Sequence, residues 1–179
     1  STGEQNENWL PDFMDDAILQ YDQYVGQILN ALKETGQMNN TIIIIYSDHG
    51  SQWRARDRIP LMIHFPGDEY AGKIESNVNN LDIAPTLLDY MNLPQPSWMG
   101  GVSLLKPIDK HRLVFSLTVP GAELLEKRSA PFYQFGGINA IECQRGYKLN
   151  FFENTWLSED VLGHTAPCKE SELRSPNEV

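Results

Sequence analysis

The chain has 179 residues, 41% of them hydrophobic, enough for one domain with a real core or for part of a larger one. Its formal net charge is -10, from 24 acidic and 14 basic residues, which argues against nucleic acid as a partner because phosphate contacts need clustered Lys and Arg. No apolar run approaches the roughly 20 residues that cross a bilayer.

The chain begins at Ser1 without Met and shows no signal peptide, so it reads as a processed product or an excised piece. Targeting segments or a membrane anchor could then lie upstream. Cys143 and Cys168 fit no metal motif by spacing. Two readings stay open for them: one disulfide in an oxidising compartment, or two separate thiols.

Residues 1–12 read as a polar tail. From Met14 the apolar residues fall at helical spacing: Met14, Ala17, Ile18, Tyr21, Val25, Ile28, Leu29 and Leu32. This pattern predicts an amphipathic helix of about five turns, stopped at Gly36. Ile42-Ile43-Ile44-Ile45-Tyr46 follows a turn at Asn39-Asn40. A continuous β-branched run without alternation predicts a strand buried on both faces, as in a central parallel strand. A second short strand is expected over residues 61–65, between Pro60 and Pro66-Gly67. Asp82 reads as the N-cap of a second helix that tolerates Pro85 in its first turn, with Ile83, Leu87, Leu88 and Met91 as its buried stripe.

Beyond Gly100-Gly101 the pattern changes. Residues 113–117, 132–135, 138–142 and 147–152 read as short strands separated by Gly-containing turns, predicting a small antiparallel sheet over 108–156. Residues 13–107 are expected to be the α/β part, and 157–179 an irregular tail.

The first strand ends in Ser47-Asp48-His49-Gly50. In open α/β sheets ligands bind outside the carboxyl ends of strands. Asp48 and His49 offer a carboxylate oxygen and an imidazole nitrogen there, a set suited to zinc or manganese. Alone, the pair reads more plainly as a turn residue and its solvated neighbour.

The surroundings carry more. Asp22-Gln23-Tyr24-Val25-Gly26-Gln27-Ile28-Leu29, then Asn40-Thr41-Ile42-Ile43-Ile44-Ile45-Tyr46-Ser47-Asp48-His49-Gly50, resemble the sulfatase family of the alkaline phosphatase superfamily. Arg58-Ile59-Pro60-Leu61-Met62-Ile63, Asp82-Ile83-Ala84-Pro85-Thr86-Leu87-Leu88-Asp89, Gly101-Val102-Ser103-Leu104-Leu105 and Arg145-Gly146-Tyr147-Lys148-Leu149 continue the resemblance in order. It covers about residues 14–152. Any one piece is weak, and the ordered set is strong.

The resemblance implies the carboxyl-terminal half of an α/β, partial alkaline-phosphatase-like fold, with parallel central strands flanked by helices and a small antiparallel sheet. It implies that Asp48 and His49 are two metal ligands. The metal expected is zinc or manganese, with calcium less suited to an Asp-His pair. The family attacks sulfate or phosphate esters with a metal-activated nucleophile. No Cys-x-Pro-Ser-Arg motif or equivalent occurs here, so this portion is expected to turn over little or nothing alone.

Arg54, Arg56 and Arg58 are candidate anion contacts, since guanidinium grips sulfate or phosphate at two points. The plainer reading of Arg54 and Arg56 is a solvated loop. Trp53 shapes a pocket or packs as a lid. His64, His111 and His164 read as non-functional. Asn39-Asn40-Thr41 has the form of a glycosylation sequon, which the family's turn explains.

Three functions follow. The first is a metal-dependent hydrolase of sulfate esters. The second is a transferase of phosphoethanolamine or glycerol phosphate, for which a membrane anchor upstream would speak. The third is a non-catalytic binding fragment or pseudoenzyme. A periplasmic or other extracytoplasmic location goes with the first two, and oligomeric state is not legible.

Overall fold

A computed structural model describes residues 9–50, 58–118, 136–161, 168–175 and 177–179. The chain is a mixed α/β polypeptide that forms two compact units. One comprises Ser1–Ile44 and Ile63–Ala71, the other Ile45–Met62 and Gly72–Val179. The expected strand over 132–135 lies outside the described residues.

In the first unit, α1 spans Trp9–Glu34. It starts earlier than the spacing predicted, within residues read as tail. Pro11 falls in the first turn, where a missing N–H costs nothing. The stop is as expected. Gly36 takes φ +68°, Gln37 N donates to Leu32 O at 2.9 Å, and Gly36 N donates to Lys33 O at 3.1 Å. These two bonds satisfy the orphan carbonyls of the last turn, and the left-handed residue they need is a glycine. A 3₁₀ turn, Met38–Asn40, follows. Phe65 is buried and meets Tyr70 edge to face, with ring centroids 5.5 Å apart.

The apolar stripe of α1 is not buried: Met14, Ile18, Tyr21 and Ile28 are exposed, and only Val25, Leu29 and Leu32 are half-buried. A corresponding correction applies to β1, Ile43–Tyr46, which pairs with β2, Leu61–His64, in a two-stranded sheet. Ile43, Ile44 and Ile45 are half-buried and Tyr46 is exposed. The strand is therefore not covered on both faces. The pattern reports which face is apolar, and the described residues supply only part of its cover.

In the second unit, Asn79 opens a 3₁₀ turn, Asn80–Asp82. Asn79 Oδ1 accepts from Leu81 N and Asp82 Oδ2 accepts from Asn79 N, both at 2.9 Å, a reciprocal cap. The helix α2, Ile83–Tyr90, continues from it. Asp82 is the N-cap residue of α2, as expected, but its side chain makes no cap hydrogen bond to that helix. The apolar stripe is also not its most buried face. Asp82, Pro85 and Thr86 are buried, Ile83, Leu87 and Leu88 are half-buried, and Met91 is exposed.

The polar residues of α2 read the segment 101–105. Asp82 Oδ1 accepts from Val102 N at 2.8 Å, Thr86 Oγ1 accepts from Leu104 N at 2.9 Å, and Asp89 Oδ2 accepts from Ser103 Oγ at 2.6 Å. Spacings of four and three residues place these three groups along one helix face. Gly101 enters the segment at φ +87°, and a Cβ there would lie 2.2 Å from Leu81 O. Only glycine fits both conditions.

Four antiparallel strands follow in sequential order: β3 (Val114–Thr118), β4 (Gly137–Glu142), β5 (Arg145–Asn150) and β6 (Thr155–Asp160). The sheet thus runs past residue 156, where it was expected to end. All six residues of β6 are exposed, so it has no apolar alternation to announce it. Cys143-Gln144 makes the tight turn between β4 and β5, and Cys143 is disulfide-bonded to Cys168. The oxidised reading of the two cysteines is the one the structure takes.

The disulfide is one of several ties that bring the carboxyl-terminal segment back onto this turn. Gln144 Nε2 donates to Cys168 O at 3.0 Å and Cys168 N donates to Gln144 Oε1 at 2.8 Å. Arg174 donates from its backbone N and from Nη1 to the two oxygens of buried Glu142, at 3.0 and 2.8 Å. Residues read as an irregular tail are in this part fixed to the sheet.

Candidate metal centre

Asp48 and His49 lie in a bend two residues beyond the end of β1. The bend is held from three sides. Asn80 Nδ2 donates to Ser47 O at 3.0 Å, tying the bend to the turn ahead of α2. Ser47 Oγ donates to His49 O at 2.7 Å. His49 N donates to Asp48 Oδ1 at 3.0 Å, which orients the carboxylate.

The imidazole is oriented as well. His49 Nδ1 lies 2.8 Å from Gly50 O. A carbonyl oxygen only accepts, so Nδ1 carries the proton and Nε2 is the nitrogen suited to ligation. That Nε2 stands 3.5 Å from Asp48 Oδ2. Two atoms sharing one ion at about 2.0–2.2 Å each must lie within about 4 Å of one another, so the pair meets the geometric demand of a common ligand. A carbonyl fixing the far nitrogen is also the usual support for a metal-bound histidine. The side chain of Asp48 is 78% exposed and that of His49 35%, so an ion and its remaining ligands have access.

The sequence-derived site residues divide as follows. Asp48 and His49 are brought together. Arg58 lies exposed ahead of β2. Arg54, Arg56 and Trp53 lie outside the described residues, as does His164. His64 makes a local contact, with Nδ1 3.5 Å from Asp68 Oδ1. Among the described residues, no third His, Cys, Asp or Glu joins Asp48 and His49 in a cluster.

Asn80 was not anticipated. It follows a capping Asn and precedes Leu81-Asp82, so it reads as turn chemistry, and only the fold shows its amide reaching the bend after β1. Asp82 and Arg112 were likewise not paired in advance. Arg112 Nη1 and Nη2 donate to Asp82 Oδ2 and Oδ1, each at 2.7 Å, across thirty positions of sequence.

The sulfatase family model matches residues 10–93. The N-acetylglucosamine-6-O-sulfatase of Bacteroides thetaiotaomicron is 32% identical over 160 residues, covering 80% of this chain and 27% of that protein. Arylsulfatase K of Bos taurus is 35% identical over 96 residues, covering 47% of this chain and 18% of that protein. Among solved structures, the phosphonate monoester hydrolase SpPMH from Silicibacter pomeroyi superposes with a TM-score of 0.64 at 21% identity, covering 80% of this chain and 33% of that one. That likeness shows an alkaline-phosphatase-like fold. The chain spans about a quarter or less of the length of these curated relatives.

Proposed function

Because this chain belongs to the sulfatase family, we propose that it is the carboxyl-terminal portion of a metal-dependent hydrolase of sulfate esters. The observation that carries this reading is the Asp48–His49 pair, with Oδ2 and Nε2 3.5 Å apart at the end of β1 and the imidazole oriented by Gly50 O. The relatives named as sulfatases support sulfate over phosphate as the transferred group.

In this reading Asp48 Oδ2 and His49 Nε2 hold a divalent ion, zinc or manganese by donor type. When bound, such an ion neutralises charge on the ester and activates the nucleophile. The chain's own contributions are positional. Ser47 Oγ and Asn80 Nδ2 fix the bend through His49 O and Ser47 O. Asp48 Oδ1 is occupied by His49 N, which leaves Oδ2 as the ligand oxygen. Arg54, Arg56 and Arg58, which follow the bend in sequence, are the candidate anion contacts in this reading.

Two ligands make a weak site, and none of the 179 residues has the sequence setting of the family's nucleophile. The chain by itself is therefore inactive in this reading. The exposed stripe of α1 and the half-covered β1 support this, because they are apolar surfaces that the described residues do not cover.

The test is hydrolysis of an aryl sulfate, with zinc, manganese or calcium. The 179-residue chain shows no turnover above the metal blank. A longer polypeptide that includes coding sequence ahead of Ser1 hydrolyses the ester and loses the activity on Asp48→Ala. Turnover by the longer polypeptide that Asp48→Ala leaves intact contradicts the proposal.

A further inference from the structure

A second group of potential ligands lies away from the Asp48–His49 bend, where the carboxyl-terminal segment is tied to the β4–β5 turn. His111, Cys143 and Cys168 each place one ligand atom within 4.8 Å of the other two, and both cysteines are buried. His111 Nδ1 is 3.8 Å from Cys143 Sγ and 3.4 Å from Oε1 of buried Glu142. His111 Nε2 is 3.8 Å from Glu172 Oε2, and Lys110 Nζ holds that carboxylate at 3.1 Å.

This is more than a disulfide needs. An imidazole nitrogen lies beside one of its sulfurs, with the buried Glu142 carboxylate at its flank. Two thiolates and an imidazole nitrogen are a donor set for zinc, with a fourth position left to solvent. Adjacent ligand atoms on zinc stand about 3–4 Å apart, given bonds of about 2.0–2.3 Å. The His111–Cys143 separation already falls in that range.

We propose that Cys143 and Cys168, when reduced, bind one zinc ion together with His111 Nδ1, with solvent in the fourth position, so that the carboxyl-terminal segment is tied to the sheet by a disulfide or by zinc according to redox conditions. The reductant is a dithiol. Its two thiols become a disulfide while the Cys143–Cys168 bond takes up two electrons and two protons. Zinc then replaces the two thiol protons, which leave to solvent. In both states the 168–175 segment keeps its bonds to Gln144 and Glu142.

The experiment uses the 179-residue chain reduced with a phosphine under anaerobic conditions and titrated with cobalt(II), then with zinc. The expected result is one tightly held cobalt per reduced chain, distinct from weak uptake at the bend, with thiolate-to-cobalt charge-transfer absorption and tetrahedral d–d bands that zinc abolishes. The oxidised chain gives neither. Asp48→Ala leaves both signals unchanged, which separates this site from the bend after β1. His111→Ala weakens binding by more than the roughly 100-fold that loss of an outer partner costs. Absence of the charge-transfer band overturns the proposal, as does a band that His111→Ala leaves equally tight. Thermal unfolding covers the case of a reduced chain that loses structure. Zinc raises the midpoint of reduced wild type and not of His111→Ala, and no effect of zinc on reduced wild type also overturns it.

Discussion

Arg112 grips both carboxylate oxygens of Asp82, each at 2.7 Å, where Asp82 has no exposed surface. The same carboxylate accepts from Asn79 N and Val102 N. One side chain thus joins the turn ahead of α2, the segment after Gly101 and the approach to β3. Removing the guanidinium leaves a buried charge without its partner. Arg112→Met is expected to lower stability by about 3–5 kcal/mol, measured by urea unfolding. A loss under about 1 kcal/mol, the level of an exposed pair, would show that the pair does not hold this junction.

Gly101→Ala meets two penalties at once, a φ of +87° and a Cβ 2.2 Å from Leu81 O. The expected cost is at least about 1–3 kcal/mol from backbone conformation alone, read as a drop in thermal midpoint. Gly100→Ala next to it meets nothing within 4 Å, and is expected to stay within about 0.5 kcal/mol. Equal effects at the two positions would count against the close approach.

Asp89 gives a pH test. Hydrogen bonds from Ser103 Oγ and then Lys106 Nζ hold its carboxyl below the ordinary carboxylate range, against a small opposing effect of burial. A lowered folded-state pKa means that its stabilisation is present above the ordinary value and lost as pH falls through the lowered one. The stability gap between wild type and Asp89→Asn should therefore be full at neutral pH and close below the ordinary carboxylate range. A gap that stays constant down to the acid limit would rule out this carboxylate as its source.

Asn80 should matter to metal binding more than to folding. Its Nδ2 anchors Ser47 O, while its Oδ1 is buried without a hydrogen-bond partner among the described residues. Asn80→Ala is expected to weaken metal binding at the bend by about 10-fold, the scale of a lost outer support. Calorimetric titration with manganese measures it, and an unchanged affinity would show that the bend holds its shape without the amide.

Much of the fold was legible because its signals are local. Gly36 stops α1 where the spacing ends, and the isoleucine run marks β1. The two ligand candidates were legible as well, since Asp48 and His49 adjoin a strand end. What stayed hidden depends on distance or on missing cover. Asp82–Arg112 and Asn80–Ser47 join residues about thirty positions apart, and no periodicity encodes such pairs. The β6 strand lies exposed on both faces, so alternation has nothing to record. The burial expected of α1 and β1 is not found among the described residues, because spacing marks which face is apolar and not whether another segment covers it.

The central claim is that Asp48 and His49 share one divalent ion. Titration of the oxidised 179-residue chain with zinc, manganese and calcium, alongside Asp48→Ala and His49→Ala, tests it most directly. The account predicts weak single-site binding of zinc or manganese by wild type, with calcium weaker, and loss of that site in both variants. Identical binding of all three ions by wild type and both variants would contradict it.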